Sequence, residues 1–158
     1  MDRIIVKTPV GKIAVDYQDD FVMEVQQVAD QLSAVVRKDP FAVEIKKQFA
    51  AYFSGELKEF SLPFLFKQGT DYQLTVWDQI RKIKFGSTKT YGEIAKKIKS
   101  GPRAVGNACR RNQLLLIVPC HRVVSAVGLG GFMGDHTGKF VQRKQWLLNH
   151  EQAANQFK

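Results

Sequence analysis

Cysteine is scarce. The 158-residue chain has only Cys109 and Cys120, eleven residues apart. Such a pair makes no secreted disulfide framework, and without a CxxC or a Cys/His cluster there are no ligands for a structural zinc. Long apolar runs are missing too: Leu114 to Val118 falls far short of the roughly 18 residues that a bilayer-spanning helix needs. Met1-Asp2-Arg3 leads into alternating strand-like residues and not into a signal-peptide core. Residues 1–68 have no cysteine, no histidine and no glycine-rich phosphate loop, so no chemistry is legible there. Collagen, a disordered tail, a membrane protein and a disulfide scaffold are thereby excluded. A globular protein of cytosolic type with free thiols is what remains.

Positive charge, by contrast, is plentiful and unevenly spread. Residues 1–68 carry nine Lys/Arg against ten Asp/Glu, a net of −1, whereas residues 69–158 carry fifteen against five, a net of +10. A basic half beside a neutral one fits a polyanionic partner, most often nucleic acid; it equally fits a solvated lysine-rich surface that aids solubility.

The organisation divides at the same place. Arg3 to Lys7 and Lys12 to Tyr17 read as strands around the turn Thr8-Pro9-Val10-Gly11, and Phe21 to Gln27 as a third, with Val28 to Val36 drifting toward helical spacing. Asp39-Pro40 starts a helix that runs through Phe41, Ile45, Phe49 and Phe53 to Gly55. The junction falls around Lys67 to Asp71, giving a sheet-and-helix domain of structural role over 1–68 and a second domain over 69–158. In the latter, Thr70 to Gln73 and Thr90 to Glu93 are capping boxes, and Ser100-Gly101-Pro102 separates two short helices in the manner of a helix-turn-helix. On the second of these helices Val105, Ala108, Cys109 and Asn112 share one face. Arg103 and Arg110 fall on the other, beside Gly106 and Asn107. That cationic, short-chained face favours contact with nucleic acid over an ordinary solvated surface.

The chemistry gathers at the second cysteine. Leu114 to Val118 has the pattern of a strand buried on both faces, and it ends in Pro119-Cys120-His121-Arg122. A thiol beside an imidazole is a candidate activated nucleophile. In extended backbone, neighbouring side chains point to opposite faces, so the His121 base would act through a bridging water. On the last helix Phe140, Val141, Leu147 and Leu148 share an apolar face with Glu151 near its centre, while His150 points away. A carboxylate there requires a partner, and His121 is the choice.

Pro119-Cys120-His121-Arg122-Val123 closely resembles the active-site signature of the O6-alkylguanine-DNA alkyltransferases, the methylated-DNA–protein-cysteine methyltransferases. The similarity extends through Tyr91, Arg103-Ala104-Val105-Gly106, Arg110, Asn112, the loop Gly128 to Gly134 and Trp146-Leu147-Leu148-Asn149-His150-Glu151, over about residues 70–151. The resemblance implies an α/β (α+β) fold: a small N-terminal sheet-plus-helix domain, then a helix-turn-helix, winged-helix-like domain carrying the cysteine. It implies a monomer that flips an O6-alkylated guanine out of duplex DNA through the minor groove and moves the alkyl group irreversibly onto Cys120, without cofactor or metal. His121 is then the water-linked base, Glu151 its orienting acid, Asn112 the brace of the active-site turn, and Tyr91 the proton donor toward N3 of the leaving guanine. Arg103 fills the vacated stack. Ala104, Gly106, Arg110 and Tyr91 meet the DNA, and Val123, Gly131, Phe132 and Met133 line the pocket.

Some positions depart from familiar relatives. Met133 replaces a small residue, Phe132 a frequent tyrosine, Gln113 and Leu115 prolines found in some members, and Asp135-His136-Thr137 is extra loop. Cys109, facing inward with Val105, is expected to be structural. Two competing functions are a sensor of alkylated bases that does not repair them and a multi-turnover cysteine hydrolase. The first lacks the acceptor cysteine. The second usually brings its base from a distant segment into direct contact with the thiol. The expected location is the cytoplasm, with access to the nucleoid, or to the nucleus in a eukaryotic host.

Overall fold

Thr8 makes the first reversal of the chain. Its hydroxyl accepts from the Val10 N–H at 3.2 Å and donates to the Gly11 carbonyl at 2.6 Å, and Gly11 takes φ 102°. The strands on either side, β1 (Asp2–Thr8) and β2 (Gly11–Gln18), pair antiparallel from Asp2 with Tyr17 to Thr8 with Gly11. Asp19 and Asp20 close the next hairpin at φ 51° and 61°, the left-handed pair that a two-residue hairpin loop demands, and lead into β3 (Phe21–Gln27). The sheet order is β1-β2-β3. The computed structural model describes residues 1–128 and 138–156. Gly131, Phe132, Met133 and Asp135 to Thr137 therefore lie outside the described residues.

The helical drift of Val28 to Val36 does not become a helix. Val35 instead exchanges N–H···O bonds with Ile5, both 3.1 Å, and so satisfies part of the open edge of β1. Helix α1 (Pro40–Phe53) starts as its sequence requires: Asp39 caps it by accepting from the Ala42 N–H. Its inward stripe is Ala42, Ile45, Phe49 and Tyr52, rotated from the expected stripe because Phe41 packs edge-on against Tyr17 at 5.6 Å.

Two compact units result. The first comprises residues 1–67 and 113–115, and the second 68–112 and 116–158. In the first, the Val25 N–H donates to the Gln113 carbonyl (2.8 Å), the Leu115 N–H to the Val25 carbonyl (3.2 Å), and the Lys67 N–H to the Gln113 side chain (3.1 Å). The apolar run Leu114 to Val118 is accordingly not a strand. Leu116 turns the chain at φ 71°, and the run is apolar throughout because Leu114 and Leu115 are buried in one unit and Leu116 and Val118 in the other.

The second unit holds α2 (Asp71–Arg81), β4 (Lys89–Thr90), α3 (Tyr91–Lys97), α4 (Pro102–Arg110), one turn of 3-10 helix (Cys120–Arg122), β5 (Val123–Val124) and α5 (Lys139–Gln156). Both capping boxes form, at Thr70 with Gln73 and at Thr90 with Glu93. Trp77 is fully buried and ties α2 to α4 by donating its indole N–H to the Ala108 carbonyl at 2.9 Å. Lys99, at φ 58°, carries the turn between α3 and α4. β4 pairs parallel with β5, Lys89 beside Val123 and Thr90 beside Val124, which sets Tyr91 next to the segment that follows Cys120. Among the described residues no helix is long and apolar enough to cross a membrane.

Candidate active site

Three backbone contacts shape the turn that presents the thiol. The Asn112 side-chain amide donates to the Val118 carbonyl at 2.8 Å, the Cys120 N–H donates to that same carbonyl at 2.8 Å, and the Arg122 N–H donates to the Pro119 carbonyl at 2.9 Å. Cys120 and His121 thus stand on a 3-10 turn and not in extended backbone, the conformation on which their opposed directions were expected. Cys120 is 6% exposed and His121 1% exposed.

Behind the turn lies a buried charge cluster. His121 Nε2 is 2.7 Å from Glu151 Oε2. Arg122 grips the same carboxylate, Nε to Oε1 at 2.9 Å and Nη2 to Oε2 at 3.0 Å, and gives Nη1 to the Ile83 carbonyl at 2.7 Å. Its guanidinium also lies over the Phe85 ring, 5.7 Å from the centroid. Burial pushes the Glu151 carboxyl up, but the bonds and charge of His121 and Arg122 outweigh it and hold the group well below the ordinary carboxylate range. Burial also pushes the His121 imidazole down against the pull of Glu151, so the ring sits neutral. Its other nitrogen, Nδ1, is buried with no hydrogen-bond partner among the described residues.

A second set of groups acts on the thiol through charge. Lys144 is fully buried and donates to the Val123 carbonyl at 2.6 Å, with its ammonium 5.7 Å from the centroid of the Tyr91 ring. Burial pulls its ammonium down to about 8, while Cys109 and Cys120 oppose that fall. Burial likewise pushes the Tyr91 hydroxyl up, so the phenol keeps its proton. The neighbouring Cys109 thiol, then burial, pushes the Cys120 thiol up, and Asn112 and Lys144 pull it back. Cys109 is half-buried, and it acts on Cys120 as well as packing with Val105.

The expected residues divide cleanly. Cys120, His121, Glu151, Asn112, Tyr91 and Val123 come together in the second unit. Arg103, Ala104 and Arg110 lie exposed on α4, and Gly106 is half-buried there beside Tyr91. Sequence reasoning left Arg122 without a role and did not find Lys144. The signal for Lys144 was present, since at 100° per residue it falls between Glu151 and Leu148 on the apolar face.

A basic helix pair with a buried thiol, an imidazole and a carboxylate behind it is the arrangement of a nucleic-acid-binding protein built around a cysteine. Residues 71–153 match the family described as 6-O-methylguanine DNA methyltransferase, DNA binding domain. The methylated-DNA–protein-cysteine methyltransferase of Methanosarcina mazei is 40% identical over 156 residues, 94% of this chain and 95% of that protein. The crystal structure of the Mycobacterium tuberculosis O6-methylguanine methyltransferase superposes with a TM-score of 0.81 at 32% identity, covering 95% of this chain and 92% of the other. The Mycobacterium tuberculosis protein solved in complex with DNA gives 0.79 at 33% identity, with coverage of 95% and 92%. The chain belongs to the O6-methylguanine-DNA methyltransferase family.

Proposed function

We propose that this chain takes the alkyl group of O6-alkylguanine in duplex DNA onto Sγ of Cys120, the specific form of the DNA repair by alkyl transfer that its family membership establishes. The observation that carries the assignment is the buried set Cys120, His121 and Glu151, with His121 Nε2 at 2.7 Å from Glu151 Oε2. Fixed by Glu151 at Nε2, His121 has Nδ1 left to take the thiol proton through a water. The ammonium of Lys144 stabilises the thiolate as it forms. Sγ then attacks the alkyl carbon, the C–O6 bond breaks, and Tyr91 donates its proton toward guanine N3. The product thioether has no path back to thiol, so each molecule acts once. Free thiols at the centre of the site suit a reducing compartment such as the cytoplasm.

DNA meets α4. Arg103, Ala104 and Arg110 are exposed on it, and a Cβ at Gly106 would stand at an ordinary 3.9 Å from Tyr91. Internal packing therefore does not require glycine at 106, and its bareness serves the outer face, where a small helix surface suits the minor groove. Arg103 enters the stack as the damaged base leaves it, offsetting part of the few kcal/mol that flipping costs. Arg103→Ala is expected to slow transfer from duplex DNA by about tenfold or more, while leaving reaction with the free alkylated base near its original rate; equal losses on both would remove the residue from flipping.

Intact mass after incubation with a duplex holding one O6-methylguanine tests the reading as a whole. One added methyl per chain, mapped to Cys120, is the expected result. Product that keeps accumulating past one per chain would indicate a hydrolase, and an unchanged mass in DNA-binding protein a sensor.

A further inference from the structure

Cys109 supplies no acceptor, acid or base to that reaction, yet its thiol acts directly on the acceptor thiol. Their proximity is built into the fold. The Asn112 N–H donates to the Cys109 carbonyl at 3.2 Å, the Asn112 side chain donates to the Val118 carbonyl, and the Cys120 N–H donates to that carbonyl as well. One asparagine therefore fixes the end of α4 against the turn that carries Cys120. These are also the chain's only cysteines, so an intramolecular disulfide has a single possible pairing.

We infer that Cys109 is a resolving thiol, which captures oxidised Cys120 as a Cys109–Cys120 disulfide and so preserves the acceptor in a recoverable form. The proposal rests on Cys120 being the acceptor only for its consequence in repair. The oxidant is a hydroperoxide. The Cys120 sulfur attacks the terminal peroxide oxygen; an S–O bond forms, the O–O bond breaks, and the hydroxide or alkoxide leaving group takes up the thiol proton. Sulfur is oxidised to the sulfenic acid and the peroxide is reduced. The Cys109 sulfur then attacks the Cys120 sulfur, an S–S bond forms, the S–O bond breaks, and the departing hydroxide leaves as water with the Cys109 proton. An S–S bond is about 2.05 Å long, and with α4 tied to the turn by Asn112 the two sulfurs close the gap by side-chain rotation. Two external thiols restore both cysteines and depart as their own disulfide. Without a resolving thiol, further peroxide carries Cys120 to the sulfinic and sulfonic acids, which thiols do not reduce. For a protein that acts once, every acceptor lost that way is a whole molecule lost.

The test treats intact protein with hydrogen peroxide, then divides it for mass mapping and for transfer assay before and after dithiothreitol. Native protein is expected to lose two hydrogens, to yield a peptide linking Cys109 and Cys120, to stop transferring, and to regain most of its activity with dithiothreitol. Cys109→Ala is expected to gain two or three oxygens on Cys120 and, judged against its own untreated rate, to stay inactive. Native protein that gives no linked peptide, or that dithiothreitol fails to restore where it equally fails to restore the variant, overturns the resolving role. A linked peptide with undiminished transfer would instead overturn Cys120 as the acceptor and leave the disulfide standing.

Discussion

Glu151→Ala is expected to cost about 3–5 kcal/mol of folding stability, the range for removing one partner of a buried ion pair. The carboxylate is 1% exposed and accepts from Arg122 at both oxygens and from His121 at one. Its removal leaves a guanidinium 9% exposed, with the Ile83 carbonyl and the Phe85 ring as its remaining neighbours, and an imidazole without its anchor. For a chain of this length that corresponds to a fall in Tm of about 10 °C. Glu151→Gln keeps the volume and a hydrogen-bonding oxygen, so it should lose less. The pH dependence separates charge from packing. Because the folded carboxyl is held below its ordinary value, the charge contributes stability above about pH 4, and that contribution fades as the pH falls toward the folded value. The gap between wild type and Glu151→Gln in urea unfolding should therefore be full at pH 7 and narrow below about pH 4. A gap of under about 1 kcal/mol for Glu151→Ala at pH 7 would show that Arg122 finds other compensation.

Much of this was legible in the sequence, and the failures share one physical cause. The capping boxes at Thr70 and Thr90, the Asp39 cap and the turn at Thr8 are local devices, set by residues within four positions of one another, and each forms as read. Glu151 was legible because a carboxylate on an apolar stripe is an anomaly that requires a partner. Lys144 lies on that same stripe, but a lysine raises no such demand, since its long stem ordinarily carries the ammonium out to water. The run Leu114 to Val118 has the composition of a double-buried strand. Its burial instead comes from two units sharing one segment, which no window of five residues encodes. The contact between Cys109 and Cys120 is of the same kind. The facing of α4 was right, but what lay opposite depended on a turn placed by Asn112 and Val118.

Lys144→Met should separate activity from stability in the opposite sense to Glu151→Ala. Methionine matches the length of the lysine stem and removes only the ammonium, so folding is relieved of a buried charge. Because the folded ammonium titrates at about 8, below its ordinary value, the wild-type fold resists its protonation, and wild-type stability should rise with pH from about 8 to about 10. The variant should lack that slope and be at least as stable as wild type at pH 7. Transfer should suffer all the same. Lys144 pulls the Cys120 thiol down against burial and the Cys109 thiol, and each unit of thiol pKa regained costs tenfold in thiolate. A single-turnover rate about tenfold or more below wild type at pH 7 is expected. The wild-type rate should climb with pH as the thiolate forms and turn over above about 8 as the ammonium is lost, whereas the variant should go on climbing into the alkaline range. A variant with the wild-type profile and rate would show that the thiolate draws its stabilisation from elsewhere, leaving the Asn112 amide as the group to test next, since it too pulls the thiol down.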